Sequence, residues 1–231
     1  MIDFLSDLNL LPLVLTVGAY QIGLSLQKKW KHPLCNPLII SIFLVILVLL
    51  VAKFPVEKYQ SGTEILSFFL TPCTVCFAVP LYRQLKILKK NVFAILVGIV
   101  AGTVTALSSI ALLCGLLALD NQLTVSLLPK SITTAIGLVL SQQNGGMEGL
   151  TAIAIFITGI LGSLYGNNLC KLFGIRNPIA QGVAIGTASH IMGTSKAAEM
   201  SDLAGAVSSA SLTISGILTA VLFPLVLKLI H

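Results

Sequence analysis

The feature that most constrains this chain is a series of uncharged apolar runs, several of them longer than the ~18 residues that mark a membrane-spanning helix. Hydrophobic residues make up 56% of the 231 residues and charged residues only 10%, whereas a soluble domain carries about 25% charged residues. In lipid, helices satisfy every backbone polar group internally. We therefore expect an all-α polytopic membrane protein that forms a single integral membrane domain over residues 1–231.

The basic residues of the chain indicate topology. The formal charge of +6 is of the sign that binds nucleic acid, but seven of the fourteen Lys and Arg fall in two short clusters beside apolar runs, which is typical of cytoplasmic loops. These seven are Lys28, Lys29, Lys31, Arg83, Lys86, Lys89 and Lys90. We therefore expect no nucleic-acid partner, and an N-terminus on the outer side. Asp3 and Asp7 precede the first apolar run where a signal peptide has a basic region, so that run is expected to stay in the membrane.

The apolar segments divide the chain into two regions. Residues 1–119 are expected to form regular helices, with apolar segments at 8–26, 38–54, 64–81 and 92–119. Within the fourth segment, Gly98 and Gly102 have the spacing that allows helices to pack closely in lipid. Residues 120–231 alternate two stretches rich in Gly, Ser and Thr (125–143 and 178–197) with two apolar segments (150–169 and 203–229). This polar region is expected to carry the functional site.

The two polar stretches leave the number of crossings open between six and eight. Eight crossings result if both stretches span the membrane, and six if both are re-entrant. The six-crossing alternative fits the positive-inside rule better, because it moves Lys171 and Arg176 to the cytoplasmic side. The two stretches then enter from opposite faces, which is a feature of transporters built on inverted repeats.

The first polar stretch contains a lysine among apolar residues. Pro129 precedes Lys130, and the hydroxyls of Ser131, Thr133 and Thr134 follow it. A charge near the middle of a membrane costs roughly 2.5–3.5 kcal/mol on insertion scales and therefore usually faces a partner or a watery cavity. Proline favours the first turn of a helix, whose free N–H groups attract anions. The group predicts an anion site, with snorkelling of Lys130 to lipid phosphates as the alternative.

The second polar stretch contains the one side chain of this region that changes charge near neutral pH, His190. Ser189, Gly193 and Thr194 are the other binding candidates in this stretch, and Gly193 is expected to interrupt the helix. We expect His190 to bind a carboxylate or carry a proton. The alternative is a histidine that only hydrogen-bonds to a neighbouring helix.

Further candidates lie at the ends of the polar stretches. Glu199 is a candidate for proton or ion coupling, with a solvated loop charge as the alternative, and Asp202 is open to the same two interpretations. Gly145 and Gly146, together with Gly186 and Gly193, are predicted structural hinges.

No enzyme or metal signature is found in the sequence. G-x-S-x-G, H-E-x-x-H and phosphate-binding loop motifs are absent, so we predict neither a catalytic nor a metal site, and no cofactor. Cys73 and Cys76 form a C-x-x-C without a second pair, which favours packing residues in a helix.

Several motifs together resemble one family. LLPKSITT (127–134), NGG (144–146), ITGILG (157–162), GTASHIMGT (186–194) and GAVSS (205–209) closely resemble the signatures of the LrgB/CidB family of bacterial holin/antiholin-like autolysis modulators. KHPLCNPL (31–38) and TPCTVCFAVPLY (71–82) extend the resemblance over nearly the whole chain. It implies a multi-pass protein of the bacterial cytoplasmic membrane that acts with a small LrgA/CidA-type membrane protein and forms homo-oligomers.

The resemblance implies two different functions. Members of the family are described as modulators of murein hydrolases and lysis, whereas relatives include pyruvate-handling pairs and the plastid glycolate/glycerate translocator. The residues favour a secondary carrier for small carboxylates of the pyruvate, lactate, glycolate or acetate class, because a hole-forming oligomer needs no selective site. The alternatives are a holin-like oligomer that leaks or regulates leak, and a scaffold for the small partner.

Overall fold

The computed structural model describes residues 10–30, 37–76 and 78–230, and all of its described secondary structure is helical. The helices are α1 (Leu11–Trp30), α2 (Pro37–Val51), α3 (Val56–Gly62), α4 (Glu64–Cys76), α5 (Ala78–Arg83), α6 (Leu85–Lys90), α7 (Val92–Leu116), α8 (Asn121–Leu127), α9 (Thr134–Gln143), α10 (Glu148–Leu172), α11 (Pro178–Met200) and α12 (Asp202–Ile230), with a short 3₁₀ turn at Leu128–Ser131. The predicted all-α fold is confirmed. Asp3, Asp7, Lys31 and Cys35 lie outside the described residues.

The chain divides at Cys76 into two compact units. In the first, α1 and α2 pack at Gly23, where an added Cβ would lie 2.7 Å from the carbonyl oxygen of Pro37. The Thr16 and Tyr59 hydroxyls form a 2.7 Å hydrogen bond between α1 and α3. The predicted third apolar segment, 64–81, is described as two helices, α4 and α5, one on each side of residue 77. The boundary at Cys76 places α7 in the same unit as the polar region.

Among the residues that the structure describes, three helices are long and apolar enough to cross a membrane, and all three belong to the second unit. They are α7, α10 and α12, of 25, 25 and 29 residues. A helix of 25 residues is about 37 Å long, which exceeds the ~30 Å hydrocarbon thickness of a bilayer. These three helices surround the two polar stretches.

The first polar stretch reverses its direction. The Thr151 hydroxyl oxygen lies 3.0 Å from the carbonyl oxygen of Ser126 and 2.7 Å from the hydroxyl of Ser141. In a continuous helix, residues 126 and 141 would be about 22 Å apart. Residues 121–143 therefore form a helical hairpin, which we call hairpin 1. Its first arm is α8 with the 3₁₀ turn, its tip is 130–133, and its second arm is α9.

The second polar stretch reverses as well, although α11 is nearly continuous in its hydrogen bonding. A Cβ added to Gly182 would lie 2.6 Å from the carbonyl oxygen of Ala204, and one added to Gly205 would lie 2.7 Å from the Cα of Ala198. Residues 182 and 198 would be about 24 Å apart in a straight helix. Residues 178–200 are therefore a second hairpin, hairpin 2, with arms 178–188 and 191–200.

The two hairpins enter from opposite ends of α10. Hairpin 1 comes immediately before α10 in the chain and hairpin 2 immediately after it. Because α10 has the length of a membrane crossing, its two ends lie at opposite faces. Lys171 and Arg176 then share a face with the basic residues that precede α7, as the positive-inside rule requires. For this unit the geometry agrees with the six-crossing alternative.

A Schellman motif ends hairpin 1. Gly145 adopts φ +81°, a left-handed conformation that favours glycine. The N–H of Gly146 donates to the carbonyl of Ser141 at 2.8 Å, and the N–H of Gly145 donates to Gln142 at 3.2 Å. The predicted turn at the Asn-Gly-Gly sequence is therefore present.

We expect the two ends of each hairpin to be accessible from the same face of the membrane. Single cysteines introduced into a variant without the five native cysteines test this. Asn121→Cys and Asn144→Cys should react with an impermeant maleimide from one face of the membrane, the outer one, because both ends of hairpin 1 lie there. Arg176→Cys and Asp202→Cys should react only from the cytoplasmic face. Labelling of Asn121→Cys and Asn144→Cys from opposite faces would contradict the hairpin.

Candidate functional site

The tip of hairpin 1 is an extended break between two helices. The 3₁₀ turn ends at Ser131, Ile132 and Thr133 are extended, and α9 begins at Thr134. Pro129 is buried and lies in the first turn of the 3₁₀ helix, as the sequence predicts, but it does not begin α9. The free N–H groups at this tip are those of the first turn of α9, for which Thr133 is the N-cap residue.

Lys130 lies at this tip with its charge only partly compensated. Its Nζ donates to the Ser131 hydroxyl at 3.3 Å, and no carboxylate pairs with it among the described residues. The side chain is half-buried and lines a cavity of about 940 Å³. The geometry therefore supports a lysine that faces a cavity.

The tip of hairpin 2 is held by specific hydrogen bonds. The backbone leaves the helical region at Ser189 (φ −135°, ψ 17°) and His190 (φ 42°, ψ −141°). The Nε2–H of buried His190 donates to the carbonyl of Ile155 on α10 at 2.9 Å, since a carbonyl only accepts. The Thr194 hydroxyl donates to the carbonyl of His190 at 2.9 Å and lies 2.8 Å from the Ser208 hydroxyl on α12. These bonds keep a strained, left-handed histidine in place.

Glycines of α10 accommodate this tip. A Cβ added to Gly159 would lie 2.5 Å from Cε1 of the His190 ring, and one added to Gly162 would overlap the side chain of Ser189. The two glycines therefore form a notch in α10, near its midpoint. The tip of hairpin 2 docks in this notch, at the level of the α10 residues that share the cavity with Lys130.

Gly186 and Gly193, which the sequence predicts as hinges, do not lie at the break in hairpin 2. The break lies at Ser189 and His190 and not at Gly193, which is helical and lies where the two arms approach. A Cβ on Gly193 would lie 2.5 Å from the Cβ of Ser189. Gly186 is also helical and packs on α12, where an added Cβ would lie 2.5 Å from the carbonyl oxygen of Ser208. Both glycines permit close packing.

Glu199 is not brought to the tips. Its carboxylate forms a 2.7 Å ion pair with Lys196, and its side chain is 68% exposed at the far end of hairpin 2. Glu199 lies nine residues from His190, which corresponds to about 14 Å along a helix. The structure therefore gives Glu199 a surface position, which is the alternative that the sequence left open.

Two of the predicted binding residues, Lys130 and Ser189, line the cavity together. Ser131, Thr194 and His190 are buried beside it in hydrogen bonds, whereas Thr134 is exposed. Sequence reasoning missed the lining residues on α10, among them Thr158, Gly162, Tyr165 and Asn168. The ITGILG sequence (157–162) contains Thr158 and Gly162 and is a signal for these two residues.

A buried hydroxyl on α7 was also missed. Thr103 is 2% exposed, and its hydroxyl has no hydrogen-bond partner within the part of the chain that the structure describes. It follows Gly102, which packs on Thr187, two residues before Ser189. No group of three His, Cys, Asp or Glu that could hold a metal ion is found among the described residues.

Sequence comparisons identify relatives over almost the full chain. The profile of the LrgB-like family matches residues 16–229. "Antiholin-like protein LrgB" of Bacillus subtilis (strain 168) is 35% identical over 219 residues, which cover 94% of this chain and 95% of the relative. The proteins of the same name from Bacillus mycoides (strain KBAB4) and Bacillus cereus (strain B4264) have the same identity and coverage. No solved structure matches the chain.

The notch in α10 generates a prediction with an internal control. Gly162→Ala should destabilise the protein by about 1–3 kcal/mol, because the new methyl group overlaps Ser189. Gly149→Ala in the same helix meets no atom within 4 Å, so it should be neutral or stabilise by up to about 1 kcal/mol. Thermal unfolding of the two purified variants in detergent measures the difference. Equal melting temperatures would show that the tip does not dock at Gly162.

Proposed function

The chain belongs to the LrgB-like family, and from this membership and the geometry of its two hairpins we propose that it is a secondary transporter of small carboxylates. The substrates are of the pyruvate, lactate, glycolate or acetate class. The protein is a multi-pass bacterial membrane protein with long apolar helices.

One observation supports the proposal: the two hairpins approach from opposite ends of α10, and Lys130 of one and Ser189 of the other line the same cavity. Interrupted helices whose free backbone groups lie at mid-membrane are the usual substrate and ion sites of secondary transporters. A hole-forming oligomer needs packing surfaces but no such site. A lysine at this depth is costly unless an anion or water meets it.

The chemistry follows from the groups at the tips. The ammonium group of Lys130 binds the carboxylate through a charge-assisted hydrogen bond, and the Ser131 hydroxyl orients the lysine. Free N–H groups at the start of α9 add partial positive charge, with Thr133 and Thr134 at that end. From the opposite side, Ser189 offers its hydroxyl to the substrate.

His190 is the proposed proton carrier. Its Nε2–H is used by Ile155, so protonation would occur at Nδ1. Thr194 and Gly193 position the backbone of the tip and do not reach the cavity. Glu199 has no part in the proposed coupling.

The cavity extends towards one end of α10. Its lining runs from Lys130 to Leu172, Phe173 and Ile175, which lie at the basic, cytoplasmic end of α10. Towards the other face, the buried Ser126–Ser141–Thr151 cluster binds hairpin 1 to α10. We assign this arrangement to a cytoplasm-open state, from which movement of the hairpin 1 tip would open the outer side.

The name of the relatives favours a second candidate function. They are named antiholin-like proteins, and a holin-like or antiholin-like oligomer that modulates autolysis accounts for that name. In our proposal, carboxylate flux through the protein causes the effect on autolysis. The protein acts with an LrgA/CidA-type small membrane partner and forms homo-oligomers. An oligomer without a site would release large dyes and would tolerate loss of Lys130.

Uptake of labelled pyruvate and glycolate into vesicles that contain the purified protein tests the proposal. Lys130→Met should lower uptake at least about tenfold, because the buried carboxylate loses its charge-assisted hydrogen bond. Lys196→Met removes a lysine of the same type from the surface pair with Glu199 and should leave uptake unchanged. An entrapped large dye reports leakage. Unchanged uptake by Lys130→Met, or loss of the dye, would overturn the proposal.

His190→Gln separates a proton carrier from a structural residue. The glutamine amide can still donate to the Ile155 carbonyl, but it does not titrate. We expect counterflow exchange to continue, while accumulation driven by an imposed pH gradient is lost. Accumulation equal to that of the unchanged protein would remove His190 from proton coupling.

A further inference from the structure

The cavity beside Lys130 carries only one charged group. Lys130 is the single ionisable side chain with a full charge among its lining residues, and those residues include neither an arginine nor a carboxylate. The remaining polar groups are neutral, and the walls are mostly aliphatic or aromatic. A second carboxylate on a substrate would lose its water without gaining a partner, which is strongly unfavourable. The charge pattern therefore selects monoanions.

The size of the cavity exceeds what the smallest acids need. Its volume is about 940 Å³, near the upper end of the ~300–1,000 Å³ of pockets that hold drug-sized ligands. Leu161, Tyr165 and Leu169 form one wall. Ala184, Ile185 and Ala188 form the other. An acid with two or three carbons would leave most of this apolar wall in contact with water, so an apolar tail adds favourable burial.

A second observation points to a ligand in this cavity. Ser189 is only 6% exposed, and its hydroxyl has no hydrogen-bond partner among the described residues, yet it lines the cavity with Lys130. The Ser189 hydroxyl is accessible from the cavity, where a ligand or a water can supply its hydrogen-bond partner. Thr158 also lines the cavity, and its hydroxyl already donates to the carbonyl of Ala154, so it remains free to accept. A hydroxyl next to the carboxylate of a substrate matches both side chains, because it can accept from Ser189 and donate to Thr158, whereas an oxo group in that position accepts from Ser189.

We propose that the preferred substrates of this site are monocarboxylates with an oxo or hydroxyl group next to the carboxylate and an apolar tail of about three to six carbons. The inference rests on the proposed transport function and specifies its substrate class. Lys130 binds the carboxylate, Ser189 donates to the neighbouring oxygen, and Thr158 accepts from that oxygen where it is a hydroxyl. The two apolar walls bury the tail.

The experiment is competition against labelled pyruvate uptake in vesicles that contain the full chain. The competitors are pyruvate, 2-oxobutanoate, 2-oxopentanoate, 4-methyl-2-oxopentanoate and phenylpyruvate, with malonate and succinate as dianions, and protein-free vesicles correct for passive entry. We expect the half-inhibitory concentration to fall about fourfold for each added CH₂ up to the branched acid. The dianions should be at least about tenfold weaker than pyruvate.

Ala188→Leu tests the place of the tail. The larger side chain fills the cavity between the two walls, so the half-inhibitory concentrations of the longer acids should rise to that of pyruvate in the same variant. Ala101→Leu, an exposed position on α7 outside the cavity, should keep the advantage. The competition series on the unchanged protein decides the question even if Ala188→Leu does not fold.

The outcomes separate this inference from the function on which it rests. If pyruvate uptake is saturable and depends on Lys130 but longer acids compete no better, the tail preference is wrong and the transporter remains. If dianions compete as well as pyruvate, the monoanion preference is wrong. If no acid is taken up, or the entrapped dye is lost, the proposed function itself fails.

Discussion

The structure of the second unit depends on how two broken helices satisfy their backbone polar groups inside a membrane. Lipid offers no hydrogen-bond partner, so irregular backbone at this depth must be buried in protein or line a watery cavity. At hairpin 2 the carbonyl of His190 accepts from Thr194, and the imidazole donates to Ile155. At hairpin 1 the carbonyl of Pro129 accepts from the N–H of Ile132 at 3.3 Å. The groups that remain free lie at the tips.

Small residues make this arrangement possible, because hairpins can reach the middle of the bundle only if helix backbones approach closely. Gly98 and Gly102 of α7 receive Val183 and Thr187 of hairpin 2, and Gly182 receives the backbone of α12. Gly159 and Gly162 of α10 receive the tip itself. The same packing that supports the hairpins thus positions Ser189 in the cavity with Lys130. The glycines of α7, α10 and hairpin 2 therefore determine both the packing of the helices and the position of the candidate site.

Much of this could be predicted from the sequence. Long apolar runs predicted α7, α10 and α12, and the positive-inside rule favoured re-entrant stretches over crossings. The glycine spacing in α7 predicted close packing, which the contacts of Gly98 and Gly102 confirm. The prediction of an LrgB/CidB-type protein is confirmed by the family match.

Other features depend on tertiary contacts that no local pattern contains. A glycine is the natural place for a helix to break, so Gly193 was the expected position, but the contacts of His190 hold a non-glycine residue at φ 42°. Glu199 lies nine residues from the tip of hairpin 2 and pairs with Lys196 one turn earlier on the same arm. The few polar residues of α10 do not follow one face of the helix, so periodicity does not indicate which face meets a cavity, and the sequence does not predict Thr158 and Tyr165 as lining residues.

The proposed site requires that residues 178–200 reverse within the membrane, so that the tips of the two hairpins lie close together. The most direct test is a dipolar electron-spin distance between labels at Ala180→Cys and Glu199→Cys, one on each arm of hairpin 2, in the cysteine-free chain. A continuous helix separates these positions by about 28 Å along its axis. We expect the distance between the two labels to be well below about 20 Å, because Gly182 and Ala198, which lie next to the labelled positions, both pack against the start of α12. A distance near that of the continuous helix would contradict it.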